Sequence, residues 1–472
     1  MKYNDSPFTN PESRGLLNPV NQHSNLDLHA MARRVMIDNG FAPDFPPDVS
    51  RELQMFAGAP DASPADASFK DMRGLLWSSI DNEESRDLDQ VEYAERLANG
   101  DIRLLIGIAD VDHFAHKGSA LDIHALANTV SVYTPVAVFP MLPEKLSTDL
   151  SSLLEDVDRL AVVIELAVSG DGVVSSTDVY RAVVRNRAKL VYESAGAWLE
   201  GRASAPAAFA RVEGLEEQIK LQDETKERLR ALRRKNGALE LESVEAVPIV
   251  TDGKITDLRA RVHNRAQDII ESFMVAANTA MAEFLEAKGV PSLRRVVRTP
   301  ERWPRIVELA ESFGEHLPAA PDSPALAEFL ARRRAADAAH YPDLSLSVMK
   351  LMGPGEYAVE APGVEQEGHF GLAVHDYTHS TAPNRRYPDL VTQRCLKQVI
   401  AGDAAAYTRD ELEAIAERCN RMEDAARKVE RLMRKAAAAV LLSNRLGETF
   451  DAIVTGASGK GTFVRLLAPP AE

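Results

Sequence analysis

Two runs rich in apolar and β-branched residues, Leu160–Val168 and Val173–Val184, flank the tripeptide Gly170-Asp171-Gly172. Glycine at two positions of so short a link supplies the backbone freedom of a tight turn, so the pattern predicts a hairpin of two antiparallel strands. A third run, Arg103-Leu104-Leu105-Ile106-Gly107-Ile108-Ala109, shows almost no polar alternation. A strand of that kind is buried on both faces. The chain is therefore expected to carry a sheet with an enclosed central strand in its first half.

Helical periodicity surrounds this sheet. Leu28, Met31, Ala32, Val35 and Met36 recur at steps of three and four within Leu26–Asn39, and Asn39-Gly40 is a stop signal. A short helix is expected over Pro47–Phe56, a small polar linker over Ala59–Ala67 and another helix over Asp122–Asn128. Further on, helices are expected at Lys189–Leu199, Val212–Lys235, His263–Ala287, Trp303–Phe313, Ser323–Ala339 and Arg409–Leu446. Strands are expected on either side of Asp252-Gly253, and Glu448–Leu467 reads as a final hairpin around Gly456–Gly461. The fold class is α+β, with a small helical module over residues 1–70, possible as a helix-turn-helix, a large mixed α/β body over 71–445 and a β tail over 446–472.

Composition limits the function classes. Of 472 residues, 45% are hydrophobic and 27% charged, values of an ordinary globular protein. No apolar run approaches the roughly 20 residues of a membrane-spanning helix, and the polar N-terminus lacks a signal core. Two cysteines, Cys395 and Cys419, are too few for a disulfide scaffold, so a reducing cytoplasm is the simplest home. A net charge of −16 argues against coating nucleic acid through a generally basic surface. A local basic channel stays open, with Lys226–Lys235 and the pair Arg385-Arg386 as its candidate sources.

The chemistry concentrates in two stretches. Ser78–Gln90 places Asp81, Asp87 and Asp89 close together ahead of the apolar strand. Asp87 and Asp89 are two apart, so in an extended segment they point the same way. Hard divalent ions such as magnesium take such oxygen ligands. The plain alternative is a solvated acidic loop, because acids outnumber bases 71 to 55. In the second stretch, Pro383-Asn384-Arg385-Arg386-Tyr387-Pro388-Asp389 ends a loop and begins a helix. Guanidinium groups at a helix N-terminus favour phosphate, whereas a surface ion pair with Asp389 is the alternative. His375 and His379 lack a third ligand and read as structural. Tyr133 and Tyr192 are candidates for stacking on a base, with core packing as the other reading.

Ile80-Asp81, Arg86-Asp87-Leu88-Asp89, Ile108-Ala109-Asp110-Val111, Ser131-Val132-Tyr133, Pro140–Ser147, Ala188–Tyr192 and Tyr377-Thr378-His379 through Asp389 follow one another in an order that resembles the ribonuclease II/R family. The resemblance covers roughly residues 70–445 and implies an RNB-type catalytic domain. It implies a 3′-to-5′ hydrolytic exoribonuclease that degrades single-stranded RNA to nucleoside 5′-monophosphates with Mg2+, Mn2+ being possible, in a cytoplasmic monomer without membrane contact. Asp81 and Asp87 would be metal ligands and Asp89 the most sensitive catalytic acid. Arg385 would meet the scissile phosphate, Arg386 the RNA, Tyr133 and Tyr192 the terminal bases, and Glu271 the RNA near its 3′ end.

Departures from the family pattern qualify this picture. Gln90 stands where the motif closes with a fourth aspartate and is at best a neutral metal ligand. Asn384 interrupts the Thr-Ser-Pro-Ile-Arg pattern, Gln393 replaces a usual histidine, and a late helical glutamate falls at Asp424, with Glu423 beside it. Helices stand in place of N-terminal cold-shock domains, and the tail resembles only the first hairpin of a terminal OB fold. The alternative reading is a catalytically weakened RNA-binding relative of the family.

Overall fold

A computed structural model describes residues 27–56, 68–242, 245–251, 254–261, 263–360, 368–459 and 461–470. The polar N-terminus, the 59–67 linker and Asp252-Gly253 lie outside them.

Helix α1 (Leu28–Asp38) opens on Asp27, whose carboxylate accepts from the N–H groups of His29 and Ala30, satisfying donors that have no partner within the helix. Helix α2 (Pro47–Met55) starts with proline, whose missing N–H is harmless there. Strands β1 (Lys70–Asp71), β2 (Trp77–Asp81), β3 (Gln90–Arg96) and β4 (Ile102–Ala109) follow, then α3 (Ala120–Asn128) and a small hairpin of β5 (Val132–Tyr133) and β6 (Val138–Phe139). The expected hairpin is β7 (Asp158–Val168) with β8 (Val174–Val191).

Strand order is β1-β8-β2-β3-β4-β7, and β7 also pairs with β8, so the sheet closes on itself. Closure depends on the 18 residues of β8. Its first part runs antiparallel to β7 and its last part parallel to β2, with Asp81 opposite Val191. A closed sheet leaves no long edge to solvent. The expected helix from Lys189 therefore begins later, as α4 (Tyr192–Leu199), because Lys189–Val191 pair with Ser79–Asp81. Tertiary pairing overrides the local helical pattern.

The seam between β2 and β3 is held by a single register pair, Ser78 with Glu92. After α5 (Ala207–Arg211), helix α6 (Leu215–Lys235) covers it. The Gln218 amide bonds both backbone groups of Ala94, at 3.0 and 2.5 Å. Gln222 Nε2 lies 3.3 Å from Ser78 Oγ and 3.4 Å from the Glu92 carbonyl. Side-chain amides thus satisfy backbone groups that the short strand pairing leaves over.

Strands β9 (Glu245–Thr251) and β10 (Lys254–Arg261) form an antiparallel pair. Helix α7 (Arg265–Ala287) opens on a capping box of Asn264 and Gln267. Strand β11 (Ser292–Val296) pairs with the distant β12 (Glu356–Glu360) across α8 (Trp303–Ser312), α9 (Ser323–Ala336) and α10 (Tyr341–Met352). The last elements are α11 (Tyr387–Ala401), α12 (Arg409–Leu442) and the tail hairpin of β13 (Ala452–Ser458) and β14 (Gly461–Leu466).

One core joins the closed sheet (Trp77, Ile80, Leu104, Ile106, Ile164) to α7 and α11 through Ile269, Phe273, Leu390 and Val391. A second packs Val35 and Met36 of α1 on Met422, Val429 and Met433 of α12, and a third holds α8, α9 and α10 together around Trp303, Phe329 and Tyr341. Among the described residues, no helix is long and apolar enough to cross a membrane.

Candidate active site

The acidic stretch spans the end of β2 and the start of β3. Asp81 is the last residue of β2, and its carboxylate accepts from the Asn82 N–H at 2.9 Å. The segment Asp87-Leu88-Asp89 leads into β3. Leu88 is buried in the core, its N–H donates to Ser152 Oγ at 3.0 Å and its carbonyl accepts from the Leu153 N–H at 3.0 Å. Asp87 and Asp89 flank it, and the charge of Asp87 acts on Asp89.

Asp89 is only 4% exposed. Asn384 Nδ2 donates to its Oδ1 at 2.9 Å, the Asn384 N–H lies 3.4 Å from the same oxygen, and Arg385 Nε is 3.9 Å from Oδ2. Ser151 Oγ donates to Asn384 Oδ1 at 2.8 Å, which turns the amide donor toward Asp89. Burial pushes the Asp89 carboxyl up to about 7; Arg385 opposes this and Asp87 adds to it. Asp87 is likewise raised by burial and by Asp81, against Arg385. Gln90 opens β3 opposite Ile108 and is nearly buried; it makes no side-chain hydrogen bond among the described residues.

Backbone bonds bring the basic loop and the β5 aromatic to this place. The Tyr387 N–H donates to the Thr129 carbonyl at 2.8 Å and the Ser131 N–H to the Arg385 carbonyl at 2.9 Å. Tyr133 follows two residues later and is 45% exposed. Burial around its hydroxyl pushes it up to about 12, with Arg385 opposing and Asp87, Asp89 and Asp81 adding. Tyr192 directly follows Val191, the register partner of Asp81. The Arg385 side chain is 46% exposed.

Arg386 behaves differently from its neighbour. Its guanidinium donates to Asp389 Oδ1 at 2.7 Å, and that oxygen also accepts from the Ala382 N–H at 2.8 Å. The ion pair considered for a surface is thus present, in a buried loop. Beside it, Arg295 makes a two-pronged bond to Glu423 at 2.7 and 2.9 Å and lies 4.6 Å over the Tyr357 ring. The Tyr357 hydroxyl meets His379 Nδ1 at 2.8 Å. Burial, with Arg386, Arg295 and Arg385 nearby, holds His379 well below its usual range and therefore neutral.

Several expectations change here. Glu423, not Asp424, faces inward, because adjacent helical residues point about 100° apart; Asp424 is 66% exposed and among the described residues reaches only Arg427, at 3.4 Å. Two cations of the Lys226–Lys235 run are taken up by acids. Lys226 is buried with Asp223 at 2.9 Å and Glu227 at 2.7 Å, and Arg230 pairs with Glu240 at 2.8 Å and Asp268 at 2.9 Å. Glu271, expected near the 3′ end of RNA, stands with His263 and Asp268, their ligand atoms within 4.8 Å of one another. A similar group, Glu286, Glu360 and Asp376, surrounds the guanidinium of Arg294. His375 is exposed and joins neither group.

Asp81, Asp87 and Asp89 do not approach one another as closely as those groups do. They supply hard oxygen donors, Gln90 a neutral one, and burial leaves anionic charge opposed mainly by Arg385. A hard divalent cation fits that donor set and that charge. Two features escaped sequence reasoning. Asn384 as the donor to Asp89 is signalled only by its departure from the motif, and the burial of Glu92 has no local signal.

A closed sheet with an acidic rim, sealed by helices and facing an arginine loop, defines the class: the RNB domain profile matches residues 69–402, and the chain belongs to that family. It is 32% identical to Ribonuclease R of Thermotoga maritima over 99% of this chain and 65% of the relative, and 31% identical to Ribonuclease R of Escherichia coli over 88% and 52%. The chain thus spans about half to two thirds of the length of these curated relatives. Mycoplasma genitalium RNase R in complex with ribose methylated single-stranded RNA superposes with a TM-score of 0.85 at 25% identity, covering 94% of this chain and 69% of that one. Yeast Ssd1, a pseudonuclease, shares the fold alone, with a TM-score of 0.72 at 18% identity over 91% of this chain and 52% of its own.

Proposed function

We propose that this chain is a hydrolytic exoribonuclease that shortens single-stranded RNA from its 3′ end and releases nucleoside 5′-monophosphates. The observation that carries the reading is the desolvated pair Asp87 and Asp89 held against Arg385 in a chain of the RNB domain family. Asp81, Asp87 and Asp89, with the Gln90 amide oxygen as a neutral donor, would hold Mg2+ or Mn2+. When bound, the cation supplies activation of water and stabilisation of the leaving oxygen.

The protein's own groups do the rest. Arg385 is exposed enough to fork onto the scissile phosphate, and Asn384 keeps the Asp89 carboxylate oriented. Arg386, anchored by Asp389, holds the loop on the RNA side. Tyr133 and Tyr192 stack on terminal bases, and Glu271 meets RNA near the 3′ end. The helical module of residues 1–70 and the tail of 446–472 flank the catalytic body of 71–445 and set how RNA is anchored, in a cytoplasmic monomer. The RNA bound in the Mycoplasma structure supports the substrate class.

Gln90 favours a second reading, an RNA-binding relative with weakened turnover. Incubation of the chain with 5′-labelled single-stranded RNA and Mg2+ separates the two. A ladder shortening from the 3′ end, absent in Asp89→Asn, supports the enzyme. Tight binding with intact RNA in both proteins overturns it.

A further inference from the structure

Gln393 of α11 is 1% exposed and spends both ends of its amide on backbone groups at the end of β4. Its Oε1 accepts from the Asp112 N–H at 3.0 Å, and its Nε2 donates to the Ala109 carbonyl at 2.8 Å. Ala109, the last residue of β4, donates its own N–H to the Asp89 carbonyl at 2.9 Å. Gln393 is thus linked to the backbone of Asp89 through a single residue.

The arginine loop closes the circuit. Asp389, in the first turn of α11, accepts from Arg386 at 2.7 Å and from the Ala382 N–H at 2.8 Å, which fastens the loop to the helix. From that loop Asn384 Nδ2 donates to Asp89 Oδ1 at 2.9 Å, and Arg385 Nε stands 3.9 Å from Oδ2. Bonds that start at the carbonyl of Asp89 therefore return to its carboxylate by way of Gln393. Arg394 and Lys397 also tie α11 to this corner, through Asp110, Asp112, Asp122 and the Ala115 carbonyl. Among the described residues none of those groups is bonded to Asp89, whereas Ala109 is. Six helical residues, about 9 Å of stiff rod, carry the position of Gln393 to Tyr387 at the edge of the loop.

We propose that Gln393 is a positioning residue for the hydrolysis, fixing the separation of Arg385 from Asp89 and so the fit of the scissile phosphate between them. The inference rests on the exoribonuclease reading. A misplacement of about 1 Å away from the chemistry can cost about 100-fold in rate, so the effect belongs to the cleavage step and not to RNA binding.

Single-turnover cleavage of 5′-labelled single-stranded RNA in Mg2+, with RNA affinity by fluorescence anisotropy, tests it on the full chain. Gln393→Met keeps the length of the side chain and removes both hydrogen bonds; cleavage is expected to slow about 10- to 100-fold with RNA affinity within about twofold of wild type. In an Arg385→Ala background the same substitution is expected to slow the residual rate less than about twofold, because the group it places is gone. Should Gln393→Met fail to show a cooperative urea transition, Gln393→Asn, one methylene shorter, carries the same comparison. Equal slowing in both backgrounds, an unchanged rate, or a loss of rate that tracks a loss of RNA affinity overturns the role of Gln393 and leaves the nuclease reading standing. A wild type that leaves the RNA intact overturns both.

Discussion

Replacing Asp89 with asparagine should stabilise the metal-free protein while abolishing its activity. The Asp89 carboxyl stands at about 7 in the folded chain against an ordinary 3.8, an interval of about three pH units at about 1.4 kcal/mol each. Between those two values the folded state holds the proton more tightly than the unfolded state does. Stability therefore falls as pH rises through this window; none of the loss is present below 3.8 and all of it above about 7. In the absence of metal, ionised Asp89 is thus a liability of about 4 kcal/mol at pH 8. Asparagine cannot ionise, and its carbonyl can still accept from Asn384. Urea unfolding in EDTA, followed by the fluorescence of buried Trp77 and its fellows, should show the variant more stable than wild type by up to about 4 kcal/mol at about pH 8, a gain that shrinks toward about pH 4. A variant no more stable than wild type at the higher pH, or a gain independent of pH, would refute the reasoning.

Other outcomes follow from single contacts. Asn384→Leu removes a hydrogen bond to a buried charge, worth about 1.5–3 kcal/mol; single-turnover RNA cleavage should slow about 10- to 100-fold with KM nearly unchanged. Tyr133→Ala should weaken binding of short single-stranded RNA by about 1–3 kcal/mol if the ring stacks, whereas Tyr133→Phe should bind as wild type in a fluorescence-anisotropy titration. Arg394 joins Asp112 at 2.8 Å, Asp122 at 2.7 Å and the Tyr407 hydroxyl at 2.6 Å, and also bonds the Ala115 carbonyl. Arg394→Met takes that partner from the buried Asp122 and the half-buried Asp112 and should lower stability by about 3–5 kcal/mol, read as a lower urea midpoint.

What the sequence discloses about the fold depends on distance along the chain. The β7–β8 hairpin and the enclosed strand β4 are legible because their signals, a glycine turn and an unbroken apolar run, are local. Ring closure is not, since one strand must pair with β7 over its first part and with β2 over its last. The same pairing moves the start of α4 from Lys189 to Tyr192. Strand β11 is concealed by its arginines; Arg294 and Arg295 look like surface charges until their partners Glu360 and Glu423, 66 and 128 residues away, are in place.

The site follows the same rule. Asp87 and Asp89 flank a single residue, Leu88, so the acidic half is readable. The donor to Asp89 lies 295 residues away at Asn384, and nothing near Asp89 announces it. Glu423 and Asp424 differ by a single step on a helix, a choice that only the packing of α12 against β12 decides. Lys226 looks like a phosphate contact because its neighbours are basic, yet Asp223 one helical turn before it and the adjacent Glu227 take up its charge.

Anomalous diffraction from crystals soaked in Mn2+ tests most directly whether the aspartate segment is a metal site. A peak within bonding distance of carboxylate oxygens of Asp81, Asp87 and Asp89, lost in Asp89→Asn, is the expected result. Strong binding at His263, Asp268 and Glu271 with no peak beside the three aspartates would contradict the account.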